Sequence, residues 1–221
     1  MSLLLLSSAT SQAQQMPPAE QAALEAQRGN YAIAYCLWRA LADQGDADAL
    51  LNLGWMYHNG YGLILDDAQA LALWQDAASA GQPEAWLAIG NLYRLGGRGV
   101  RRNLGQAAQY LLKSTAAGIR DADALARVVL SQLDEDSSGQ RLLLLKEYSA
   151  VLGGQLEVSV ERANFRDQAS LNSKILRGLT QGAQLTELNR NGDWVHAAVN
   201  DDALVGWIHH SIVRPRPVSA P

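Results

Sequence analysis

The segment from Gly45 to Gly81, GDADALLNLGWMYHNGYGLILDDAQALALWQDAASAG, is followed by a second version of itself, GQPEAWLAIGNLYRLGGRGVRRNLGQAAQYLLKSTAAG. Setting Gly45 against Gly81 and Gly118 aligns Ala49 with Ala85 and Ala122, Gly54 with Gly90, Tyr57 with Tyr93, and Gly60 with Gly96. One residue inserted in the second loop restores the match of Gly62-Leu63 with Gly99-Val100 and of Ala70 with Ala107. A step of about 36 residues lies in the range of stacked helix pairs. Ala49, Leu53, Met56 and Tyr57 recur at helical spacing and make the apolar stripe of a first helix. Gly60 and Gly62 end it, and Asp66, or Asn103 in the next copy, stands where an N-cap is wanted. A second helix carries Ala70, Leu73, Trp74, Ala77 and Ala78, and its small residues, with Gly54, let two backbones approach closely. Gln82-Pro83 restarts the next helix, with proline expected at its first position. Such a pair cannot bury its apolar face alone, so neighbouring pairs must stack.

These residues resemble the Sel-1-like repeat, a relative of the tetratricopeptide repeat. Ala49, Leu53, Gly54, Tyr57, Gly60, Gly62, Asp66, Ala70, Trp74, Ala77, Ala78 and Gly81 carry the match in the first full copy. The second copy departs at Ile89, Asn103 and Leu111, and the third keeps Ala122 and a helical pattern, as a degenerate cap would. A leading repeat is expected before Gly45, with a helix from Pro17-Pro18 to Arg28-Gly29 and another over Tyr31 to Gln44, where Trp38 matches Trp74 and Ala42 matches Ala78. After the first helix of the third repeat (Asp121 to Leu133), the run DEDSSG reads as a turn. A last helix over Gln140 to Leu152 would close the solenoid, its continuous Leu142 to Leu145 run covered on more than one side.

Beyond Gly153-Gly154 the period changes. LEVSV, KILRGL, AQLTEL, DWVHAAV and VGWIHH read as five short strands, with a tight turn at Asn191-Gly192. Five such strands predict a small antiparallel barrel. The stretch resembles a bacterial SH3-type domain: Ala163-Asn164-Phe165-Arg166 is similar to that family's L-N-V-R, Gly182 to its K-G turn, Trp194 to its tryptophan strand, and Gly206-Trp207-Ile208 to its G-W-V. Phe165 in place of valine, and DQAS where a proline loop is common, are the departures. The predicted fold class is thus multidomain α plus β, an α/α helical-repeat solenoid followed by a small antiparallel SH3-like β-barrel. Residues 17–152 form the repeat domain, 156–213 the SH3-type domain and 214–221 a disordered proline-rich tail; the two domains are expected to fold separately.

Residues 1–15, MSLLLLSSATSQAQQ, read as a signal peptide truncated by a start codon placed too far downstream. Leu3 to Leu6 supply a short apolar core, and Ser11-Gln12-Ala13 a cleavage site, but the first basic residue is Arg28. An unstructured cytosolic N-terminus is the alternative. No stretch reaches the roughly 18 apolar residues of a membrane span. Eleven Lys/Arg stand against fifteen Asp/Glu up to residue 153, and seven against seven after it. Neither half has the basic field that nucleic acid requires, so no nucleic-acid partner is expected.

Few residues suggest chemistry. Cys36 aligns with Ala72 and reads as a small core filler. His209-His210 are adjacent, and neighbours on a strand point to opposite faces, so no metal site is expected there. Asp134, Glu135 and Asp136 read as solvated charge, and Gly96-Gly97-Arg98-Gly99 as a repeat turn rather than a phosphate loop. Nothing pairs a nucleophile with a base, so the expectation is no catalysis and no cofactor.

Binding surfaces remain. Leu51, Trp55 and His58, with Leu87, Asn91 and Arg94 one repeat later, are left over after the structural positions and would align as a groove when repeats stack. Trp55 can equally pack on the preceding helix pair. In the barrel, Phe165, Trp194 and Trp207 could line a ligand cleft, with a core role for Trp207 the competing reading. The two resemblances imply a non-enzymatic, exported envelope protein, periplasmic or secreted. It would hold a protein partner in the repeat groove and cell-wall peptidoglycan or peptide on the SH3-type module. A targeting or inhibitory accessory of a cell-wall hydrolase is the alternative.

Overall fold

A computed structural model describes residues 16–133, 137–152 and 154–216. The signal-peptide reading, the acidic run 134–136 and Gly153 lie outside these residues.

The helices follow the repeat: α1 (Pro18–Gln27), α2 (Tyr31–Ala42), α3 (Ala47–Asn59), α4 (Asp67–Ser79), α5 (Glu84–Leu95), α6 (Leu104–Ala116) and α7 (Ala122–Gln132). Each packs on its neighbours in sequence order, the pattern of a solenoid. The two copies use the same devices. The Asp66 carboxylate accepts from the Gln69 N–H at 3.0 Å to cap α4, and the Asn103 side chain accepts from Gln106 at 3.0 Å to cap α6. The Asp66 N–H donates to Tyr57 O at 3.0 Å, and the Asn103 N–H to Tyr93 O at 2.8 Å, folding each loop back on its helix. Pro83 stands one position before α5 rather than at its first residue.

Each of the two copies has a close-approach notch at the same position. A Cβ on Gly54 would lie 2.3 Å from Trp74 Nε1, and one on Gly90 would lie 2.8 Å from Leu111 Cγ. The Trp74 indole fills its notch and donates to Leu51 O at 3.2 Å, which satisfies its one polar atom.

The helix predicted over 140–152 is two: α8 (Ser138–Glu147) and α9 (Ser149–Leu152), parted at Tyr148. In its leucine run Leu144 and Leu145 are buried and Leu142 is half-buried, while Leu143 is 69% exposed. A helical period cannot turn four consecutive residues inward.

Seven strands, not five, follow: β1 (Gln155–Val158), β2 (Arg162–Arg166), β3 (Ile175–Thr180), β4 (Gln184–Asn191), β5 (Trp194–Val199), β6 (Val205–His209) and β7 (Val213–Pro215). They form one antiparallel sheet in the order β3-β2-β6-β5-β4-β1-β7. The additional strands are β2, whose residues RANFR alternate exposed and buried, and the three-residue β7, which continues to Pro215 in the stretch read as tail. One face of the sheet closes over Leu156, Val158, Phe165, Leu185, Val195, Ala197 and Ile208.

The other face meets the solenoid. Leu188, Ala198 and Ala203 join Ala126, Val129, Leu130, Leu145, Tyr148 and Leu152 in a single buried cluster that extends back to α6. The second helix expected to pair with α7 is therefore replaced: α7 packs on α6 and on β4 and β5, while α8 and α9 also reach α6. Arg141 from α8 is buried in this junction. Its Nε donates to Leu130 O at 3.0 Å, its Nη1 to Ala203 O at 2.9 Å, and its Nη2 to Leu133 O. The glycine break leads to the expectation that the two parts fold separately; the buried cluster spans that break.

Candidate functional site

On the solenoid, Trp55 and His58 sit one helical turn apart on α3. Trp55 is 40% exposed and meets the Trp74 ring edge-on at 5.0 Å and the His58 ring at 5.7 Å. Its exposed part lines a cleft of about 420 Å³ with Tyr31, Trp38 and Tyr61, residues of the leading pair and of the loop after α3. Tyr31 and Tyr61 stack in parallel at 5.1 Å. Trp55 thus packs on Trp74 of its own helix pair rather than on the preceding pair, and walls a cleft that His58, Asn91 and Arg94 do not line.

His58 is less available than its position suggests. Its Nδ1 lies 2.5 Å from Asp67 Oδ1, and the other Asp67 oxygen accepts from the Arg98 N–H at 2.6 Å. Asp67 is buried, and a Cβ on Gly97 would strike its carboxylate. The glycine-rich turn of one repeat therefore holds the carboxylate of the previous one. A buried charge needs such partners.

Asn91 and Arg94 are joined to each other, the guanidinium donating to Asn91 Oδ1 at 3.1 and 3.3 Å. Leu51 and Leu87 are half-buried and pack against the repeat cores rather than walling a groove. The structure thus forms two separate pairs, Trp55 with His58 and Asn91 with Arg94. Cys36 is exposed, not a core filler: α2 turns it outward while Ala34 and Trp38 go inward.

In the barrel Phe165 is fully buried, its ring below Gly206, and lines no cleft. Trp194 and Trp207 lie on the outer face, each half-buried. Strand pairing sets Trp194 opposite His209 and His196 opposite Trp207. The rings then pair across strands: Trp194 edge-on to His209 at 5.4 Å, and His196 stacked on Trp207 at 4.4 Å. Residues two apart on a strand share a face, so this aromatic strip is the open continuation of the Ala198 and Val205 face that meets the solenoid. His196 marks the transition. Burial first, and the Arg141 guanidinium second, hold its imidazole below the usual value. His196 and His209 went unremarked as strip members because their faces follow from strand register, which the sequence shows only once β5 and β6 are paired.

His209 and His210 also depart from expectation. His210 leaves the strand in a short 3-10 turn (His210–Ile212), so the two rings approach to 5.0 Å instead of pointing apart.

Residues 161–213 match the family model described as Bacterial SH3 domain. Among solved structures the chain is similar to a Sel1 repeat protein from Oxalobacter formigenes, at 27% identity and a TM-score of 0.47, over 61% of this chain and 58% of that one. It is also similar to a protective antigen of uropathogenic Escherichia coli strains displaying an SLR fold, at 24% identity and a TM-score of 0.45, over 54% of this chain and 26% of that one. The chain thus spans about a quarter of the antigen and less than two thirds of the Oxalobacter protein. No curated protein matches it. The paired helices carry the Sel1-like repeat pattern, and the antiparallel sheet after them is a bacterial SH3 domain. Among the described residues no helix is long and apolar enough to cross a membrane.

Proposed function

We propose that this protein is a non-enzymatic adaptor of the bacterial envelope. Its repeats hold a protein partner, and its SH3 domain holds peptidoglycan or a wall peptide. The observation that carries the reading is the outer strip of Trp194, His196, Trp207 and His209. Aromatic rings left half-exposed in cross-strand pairs offer flat apolar surface and polar edges at little entropic cost, the combination that sugars and peptides use. The cleft of Trp55, Tyr31 and Tyr61 offers the same chemistry on the solenoid. Phe165 drops out of the barrel site, and Leu51 and Leu87 out of the groove.

The test uses the full chain, because the two parts share a core. Co-sedimentation with purified peptidoglycan should fall about tenfold or more for Trp194→Ala, while crosslinking capture of a partner from envelope extracts is retained. Trp55→Ala should do the reverse. Each variant must melt within a few degrees of the parent. Sedimentation indifferent to Trp194→Ala would end the wall-binding reading, and capture indifferent to Trp55→Ala would end the groove reading.

A further inference from the structure

We propose that Asp193, His209 and His210 form a binding site for a late divalent transition-metal ion, of the Zn²⁺, Cu²⁺ or Ni²⁺ class. One ligand atom from each of the three residues lies within 4.8 Å of the other two. The backbone brings them together in two steps. Asp193 ends the tight turn between β4 and β5, and its carbonyl accepts from the His210 N–H at 2.8 Å. The 3-10 turn then swings the His210 ring to the side of His209.

The spacing suits a metal. His210 Nε2 and Asp193 Oδ1 are 3.5 Å apart, long for a hydrogen bond. Two ligands at tetrahedral positions about 2.0–2.2 Å from a zinc ion would be separated by roughly that distance. Two imidazoles and one carboxylate are borderline donors that favour zinc, copper and nickel, whereas magnesium and calcium favour all-oxygen sites. The His209 ring is already oriented, its Nδ1 at 2.8 Å from Ser211 Oγ and its face meeting Trp194 edge-on. A ligating imidazole usually donates its other ring N–H to a second residue; with Nδ1–H donating to Ser211 Oγ, in place of accepting from the Ser211 N–H at 3.3 Å, Nε2 is left for the metal. Asp193 and His210 are exposed, so their side chains can close by the remaining ångström and water can complete the coordination.

The experiment is calorimetric titration of the full chain with Zn²⁺ and with Mg²⁺, in a Cys36→Ser background that removes the exposed thiol as a competing ligand. One equivalent of Zn²⁺ should bind, and Mg²⁺ should not. Asp193→Asn, His209→Asn and His210→Asn should each weaken Zn²⁺ binding by at least about tenfold. Copper-nitrogen couplings from two imidazoles should appear in the Cu²⁺ spin-resonance spectrum and fall to one in either histidine variant. The proposal is overturned if no one-to-one isotherm is found, or if either histidine variant keeps the parent affinity.

Discussion

Two joints hold this molecule together, and they are built on different principles. Between the helices of a repeat the joint is a notch: Gly54 receives Trp74, and Gly90 receives Leu111. Between solenoid and barrel it is a plug, with Arg141 reaching carbonyls of Leu130, Leu133 and Ala203 inside a shared apolar core. The notch recurs because stacking demands the same close approach in each copy. The plug occurs once, where the solenoid ends against something that is not a repeat. A solenoid end must be covered, and here a sheet face covers it.

The plug should prove the more sensitive joint. Arg141→Leu leaves three buried carbonyls without that donor, and each orphaned group costs about 1–3 kcal/mol. A loss of about 3–5 kcal/mol in urea unfolding is expected, with helix and barrel signals lost together or becoming separated. A loss under about 1 kcal/mol would mean the junction is held by apolar packing alone, and the comparison would fail on its first side.

The notch should come next. Gly54→Ala drives a methyl into a fully buried indole that is hydrogen-bonded in place, so about 1–3 kcal/mol should be lost. Gly139, in α8, has open space where a Cβ would go. Gly139→Ala should therefore gain about 0.5–1 kcal/mol from helix propensity. Equal effects at the two glycines would show that close approach is not what the repeat conserves between its copies.

The smallest effect is a pH dependence at the edge of the plug. His196 titrates below its ordinary value in the fold, so below about pH 6.5 the unfolded chain binds the extra proton. Its contribution is complete above that pH and is lost as pH falls toward the folded value. The urea midpoint should drop between about pH 7.5 and 5.5, and His196→Gln should remove part of that drop. A His196→Gln protein with the parent's full pH dependence would assign it to other groups.

What the sequence made legible tracks these differences. Gly54 and Tyr57 could be read because a second copy keeps them as Gly90 and Tyr93, and Asp66 because Asn103 can cap a helix in the same way. The Asp67 carboxylate was hidden because the second copy has Leu104 there, and one of its two partners, beside His58, is a backbone N–H in the next repeat. Arg141 was hidden for a related reason: three of its partners are carbonyls, which leave no mark on residue identity. On the barrel, the G-W dipeptide located β6. Whether Trp207 faced the core or the open strip depended on the register against His196. Phe165 was read with Trp194 and Trp207 as a cleft residue; the structure makes it a core residue under Gly206. The histidine pair misled because the alternation of a strand was extended one residue past its end.

The pairing of the short seventh strand has a consequence for modularity. Pro215 lies beside Leu156, and the Arg216 N–H donates to Gln155 O at 2.8 Å. The polypeptide therefore leaves the SH3 domain at the place where it came in. A module with coincident ends can be cut from one chain and spliced into a loop of another without stretching its host. Here the same property means that the barrel caps the solenoid as a detour: the backbone runs out, covers the last helices, and returns to its starting point.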